Sequence, residues 1–72
     1  MNNTERYESL AELEASEERQ KYVELLENMA GEFMMMRAQA AAELPLRARE
    51  AGFNRGISLN AAKDLVDKYW PD

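Results

Sequence analysis

Any chemistry this chain performs must come from carboxylates, amides, hydroxyls, amines and guanidinium groups, because its 72 residues include no histidine and no cysteine. The commonest general base and the commonest metal ligand are therefore missing. Disulfides and thiolate metal sites are excluded. Glu14, Glu17, Glu18, Asp64 and Asp67 are of the type that holds a hard cation. Yet Asp64 and Asp67 alternate with Lys63 and Lys68, the pattern of a solvated helix face. The glutamates of residues 5–32 are spread around helices instead of gathered in a ligand loop. With no Gly-rich phosphate loop and no nucleophile motif, the sequence predicts a protein that is not an enzyme and uses no cofactor or metal.

Charge points to binding instead. Residues 1–36 carry three basic groups against nine glutamates, a balance of −6, whereas residues 37–72 stand at +1. Glutamate-lined helices can occupy a basic surface of a partner by charge complementarity. The leading expectation is a small acidic regulator or inhibitor, antirepressor-like, that binds a partner protein, possible targets including a nucleic-acid-binding one. Its expected contact residues are Tyr7, Leu10, Leu13, Glu14, Glu17, Glu18 and Met35.

A second expectation uses the basic half. Residues 45–51, a turn containing Gly52, and residues 58–70 resemble a helix-turn-helix in outline, with Ala48 and Gly52 four apart. The turn from 52 to 57 is longer than the usual three or four residues. In this DNA-binding alternative Arg47, Arg49, Arg55 and Lys63 contact phosphates, and Asn60 reads a base. A structural subunit of a larger assembly is the third possibility.

These groups need a scaffold, and the stretch 22–44 supplies its centre. Tyr22, Leu26, Met29, Phe33, Met36 and Ala40 recur at steps of four and three, the seam of a helix packed lengthwise on another. The predicted fold is all-α: a single domain over 1–72, a bundle of three to four helices around one long helix at about 16–44. So small a core with no disulfide is marginal alone. A homodimer built partly on that seam is therefore expected.

A first helix is predicted over 4–14, capped by Thr4 or, starting later, by the Ser9–Glu12 capping box. Its stripe is out of phase with the seam, which places a break near 15–16 with Ser16 capping the long helix. Pro45 is expected to end that helix near Leu44, with 45–51 a short helix or a kinked continuation. Gly52 reads as a left-handed helix terminator with Phe53 folding back. Ser58 caps a last helix whose apolar face is Leu59, Ala62, Leu65, Val66 and Tyr69. The N-terminal residues are polar, and no stretch approaches the roughly 18 apolar residues of a membrane span. The expected location is cytoplasmic.

Overall fold

The structure, a computed structural model, describes residues 6–33 and 36–71, with the backbone alone at 32–33. In chain order the elements are β1 (Arg6–Tyr7), α1 (Leu10–Glu14), α2 (Arg19–Phe33), α3 (Arg37–Glu50), β2 (Gly56–Ile57) and α4 (Leu59–Tyr69). The chain is thus mostly helical, but the all-α expectation needs correction. β1 and β2 pair in parallel, with Arg6 opposite Gly56 and Tyr7 opposite Ile57. The Ser58 N–H donates to the Tyr7 carbonyl at 2.9 Å and extends the pairing.

Serines set the helix starts. Ser9 Oγ accepts the Glu12 N–H at 3.2 Å, and the Glu12 carboxylate accepts the Glu8 N–H at 2.8 Å. This is the reciprocal logic of a capping box. The first helix therefore begins at Leu10, not at residue 4. Residues 6–7 are extended, and Thr4 lies outside the described residues. Ser16 accepts the Glu18 N–H at 3.1 Å and donates to the Leu13 carbonyl at 2.8 Å, so one hydroxyl closes α1 and opens α2. Ser58 accepts the Ala61 N–H and donates to the Glu8 carbonyl, both at 3.1 Å, joining α4 to the segment after β1.

The long helix of residues 16–44 is two helices. α2 ends at Phe33 and α3 begins at Arg37, after Met36 in extended conformation. The reason is burial. Tyr22, Leu26 and Met29 on α2 and Ala40, Leu44 and Ala48 on α3 are all buried. A chain this short cannot cover so long a stripe on a straight helix. Folding it back lets α2 pack on α3.

The same burial carries α3 through Pro45, which does not end a helix here but sits inside one. Buried Ala41 and Leu44 precede it and buried Ala48 follows. Apolar contact on both sides outweighs a missing N–H.

α3 ends as the sequence predicts. Gly52 has φ +79°. Its N–H donates to the Arg49 carbonyl at 3.0 Å, and Phe53 N–H to Ala48 at 3.1 Å. That is the Schellman pattern, which needs a left-handed residue.

α3 packs chiefly against α4, whose Ala61, Ala62, Leu65 and Val66 are buried, and α1 rests on α4. Glu14 ties these last two together, accepting from Lys68 Nζ at 2.6 Å and from the Tyr69 hydroxyl at 2.8 Å. The radius of gyration of 11.2 Å is what about 2.2·N^0.38 Å gives for a compact chain of this length.

The expected dimer seam is closed within one chain. Tyr22, Leu26, Met29 and Ala40 face the chain's own core, and Met36 is 75% exposed. The Phe33 side chain lies outside the described residues. No helix among the described residues is long and apolar enough to cross a membrane.

Because Pro45 removes a hydrogen bond from the interior of α3, Pro45→Ala should stabilise the fold by about 1 kcal/mol or more. Thermal unfolding would register this as a raised Tm. An unchanged or lowered Tm would mean that α3 accommodates the ring at no cost.

Candidate functional site

Two groups of polar residues stand out, one inside and one outside. The inner one centres on Glu18, which is 6% exposed. Its carboxylate accepts the Tyr7 hydroxyl at 2.8 Å, the Asn54 N–H at 2.8 Å and the Arg55 N–H at 3.3 Å. The start of α2 is thereby clasped to β1 and to the loop that leads into β2. Tyr22 donates to the Arg55 carbonyl at 2.6 Å. Arg55 lays its guanidinium 4.2 Å from the Tyr7 ring centroid and donates through Nη2 to the Arg6 carbonyl at 3.2 Å, while its Nε is buried with no partner. Tyr7 and Phe53 both meet the Tyr22 ring edge to face.

Burial raises the pKa of both phenols. At Tyr7 the adjacent Glu18 carboxylate adds to the rise, while Ser16 works against it. At Tyr22, Glu18 and then Tyr7 reinforce the effect of burial. Apart from Arg55 Nε, the polar groups named here bond one another or the backbone, so this cluster holds the fold.

The expected contact residues are divided by this arrangement. Tyr7 (2% exposed) and Leu13 are core residues, and Glu18 is the clasp. Leu10 is partly buried against the core. Glu14 is bonded to Lys68, which lowers the pKa of its carboxyl, as the Tyr69 hydroxyl also does. Of the set, Glu17 is exposed, and Met35 lies outside the described residues. The hydrophobic stripe of a short helix at the chain start looked like surplus surface because its covering partner, α4, is some fifty residues away. Among the described residues no three carboxylates converge as a cation would require.

Of the DNA-reading set, two members are engaged within the chain. Arg55 is engaged with Tyr7 and Arg6, and Arg47 pairs with Glu43 at 3.4 Å. Arg49, Asn60 and Lys63 are exposed. The connection between α3 and α4 carries β2 and is held by Glu18, unlike the short free turn of a helix-turn-helix.

The outer group lies on α2. Lys21, Glu24 and Asn28, with Leu25, form one wall of an open groove of about 240 Å³, and Ala51 and Phe53 form the other. Leu25 and Phe53 are partly buried against the core and give the groove an apolar floor. Glu24 is one of the lining residues, and its carboxylate accepts from Gln20 Nε2 at 3.4 Å. Glu17, Glu24 and Glu27 are exposed, and none of them has a salt-bridge partner among the described residues. The sequence did signal one wall, since Lys21, Glu24 and Asn28 share the polar face of the helix. The other wall arises only when the Gly52 turn folds Phe53 back onto α2.

The chain matches no protein-family model, curated protein or solved structure. Its reading therefore rests on the residues and their arrangement.

Glu18→Gln should destabilise the fold by about 2 kcal/mol or more, because the carboxylate is replaced by an amide that presents a donor to donors. Chemical denaturation of Glu18→Gln, Tyr7→Phe and the double variant should show coupling between the two sites. Strict additivity would break the clasp as drawn. The raised phenol pKa values also fix a pH dependence. The neutral phenols are favoured in the folded state, so their contribution is complete below pH 10.0, the ordinary tyrosine value, and is lost as pH climbs above it. Stability should fall in that alkaline range and fall less in Tyr22→Phe. An equal alkaline loss in that variant would remove Tyr22 as the cause.

Proposed function

We propose that this chain is a non-enzymatic interaction module, a small acidic regulator or inhibitor that binds a basic segment of a partner protein through the outer face of α2. The reading is carried by Glu24, a carboxylate with no salt bridge among the described residues, which lines a groove beside Leu25 and Phe53. A carboxylate left without a salt bridge beside Leu25 and Phe53 suits a partner that offers an apolar side chain flanked by lysine or arginine. Glu27 on the same helix, and Glu17 two residues before it begins, extend the negative field and favour fast, salt-sensitive encounter. The contact set thus becomes Glu17, Lys21, Glu24, Leu25, Glu27 and Phe53.

The test compares three immobilised proteins in nuclease-treated lysate from the source cells: the natural chain, Glu17→Lys/Glu24→Lys/Glu27→Lys, and the control Asp64→Lys/Asp67→Lys. The natural chain and the control should retain one protein in stoichiometric amount, with retention falling as salt rises. The triple variant should bind it at least about tenfold more weakly. Equal capture by all three, or capture that disappears with the nucleic acid, would overturn the proposal.

A further inference from the structure

One face of α2 is buried and the other is open. Tyr22, Leu26 and Met29 belong to the core. At about 100° per residue, Lys21, Glu24 and Asn28 fall within about 60° of one another on the opposite side. All three are exposed, and all three line the groove beside Leu25 and Phe53. Lys21 makes no ion pair with Glu24, three residues on, or with Glu17, four residues back. A lysine that precedes its glutamate is the weaker order for a pair within one helix. Glu24 takes a 3.4 Å bond from Gln20 Nε2 instead. One positive and one negative charge thus stand on the open face, about 4.5 Å apart along the helix axis, and neither neutralises the other.

We infer that a second copy of the chain covers this groove, in a twofold-symmetric pair whose α2 helices lie antiparallel. A twofold axis between residues 22 and 23 sets Lys21 of each copy against Glu24 of the other, so one surface makes two ion pairs with itself. The same register brings Asn28 opposite the turn that carries Glu17, an amide donor facing a carboxylate. Charge excludes the parallel arrangement, which sets Lys21 on Lys21 and Glu24 on Glu24. Charge also fixes the register. A shift of one heptad toward the C-terminus loses both ion pairs, and the opposite shift sets Glu24 against Glu14, which is already committed to Lys68. A basic segment answers Glu24 and leaves Lys21 opposed, whereas a second copy answers both. Leu25 and Phe53 supply apolar area beside the pairs. The inference deepens the reading of this groove as a contact surface, on which it rests: self-association closes the groove and so regulates a partner's access to it. Exposed ion pairs contribute little each, and the net charge of −5 on every chain adds repulsion. The pair is therefore weak, with a dissociation constant on the order of 100 μM.

The test uses the purified chain alone, so its outcome is separate from capture of a partner in lysate. Sedimentation equilibrium at about 0.15 M salt, where charges more than roughly 8 Å apart are screened, should show a monomer–dimer equilibrium between micromolar and millimolar concentration. Lys21→Glu sets carboxylate against carboxylate, and Glu24→Lys sets ammonium against ammonium. By symmetry each substitution removes both pairs, so each variant alone should dimerise at least about tenfold more weakly. Both side chains are exposed, so the circular dichroism and Tm of each variant should stay close to those of the natural chain. Mixed in equal amounts, the two variants complement each other, and a dimer of one chain of each should form at least as tightly as the natural one. A natural chain that stays monomeric to millimolar concentration would overturn the inference. So would single variants that dimerise as the natural chain does, or a mixture no tighter than its components. Partner capture in lysate would survive that failure, whereas lost capture with the mixed dimer intact would remove the partner and leave the self-association standing.

Discussion

A carboxylate with little access to water must have its charge met by donors, and at Glu18 three donors come from two distant segments of the chain. The Tyr7 hydroxyl belongs to β1, and the Asn54 and Arg55 amides belong to the loop before β2. Glu18 itself stands at the start of α2, positioned by Ser16. Chain ends separated by nearly fifty residues are thus brought to one point. The parallel pair that results is only two residues long on each side. Parallel strands of that length do not hold themselves together. Their register follows from the clasp, from the Tyr22 bond to the Arg55 carbonyl and from the Ser58 bond to the Glu8 carbonyl.

The polar clasp complements a core made of small parts. Ala40, Ala41 and Ala48 on α3 face a set that includes Ala61 and Ala62 on α4. Alanine lets helices approach closely but buries little apolar area per residue. The larger buried side chains are Tyr22, Leu26 and Met29 on α2, with Leu13 on α1, Leu44 on α3 and Leu65 on α4. A globule with so few large residues gains specificity from directional bonds. The tyrosines supply ring area and a hydroxyl at once, Tyr7 toward Glu18 and Tyr22 toward Arg55.

Features that depend on a few neighbouring residues were legible in the sequence. The Ser9–Glu12 box, the break at Ser16, the Gly52 terminator with Phe53 folding back, the Ser58 cap and the Ala62, Leu65 and Val66 stripe of α4 all rest on hydrogen bonds or stripes within a turn or two, whereas Leu59, expected on that stripe, is 55% exposed and Ala61 is buried in its place. Tyr22, Leu26, Met29 and Ala40 were identified as an apolar seam, although the surface covering them is the chain itself. What depends on distant residues was not legible. Two-residue strands have no periodicity to detect. The division of the stripe into α2 and α3 and the passage of α3 through Pro45 could not be read from local pattern, and α3 packs on both α2 and α4. Tyr7, Leu13 and Glu18 looked like surface because their partners are at the other end of the chain. The polar wall of the groove could be read from the helix spacing. Its apolar floor could not.

The glutamates of the N-terminal half are chemically alike, yet the fold gives them different work. Glu12 completes a cap, Glu14 fastens α1 to α4, and Glu18 is buried as the clasp. Each of these is satisfied within the chain, so its charge contributes little to an outside partner. Glu17, Glu24 and Glu27 remain exposed and without a salt bridge among the described residues. Like charges along one helix face repel modestly and add nothing to folding. A chain whose stability needs so many internal bonds would lose nothing by alternating these positions with lysine, as α4 does with Lys63, Asp64, Asp67 and Lys68. These three glutamates are therefore a property of the surface that the fold does not require, although Lys21 lines the same groove, and recognition of a basic partner is a use that they fit.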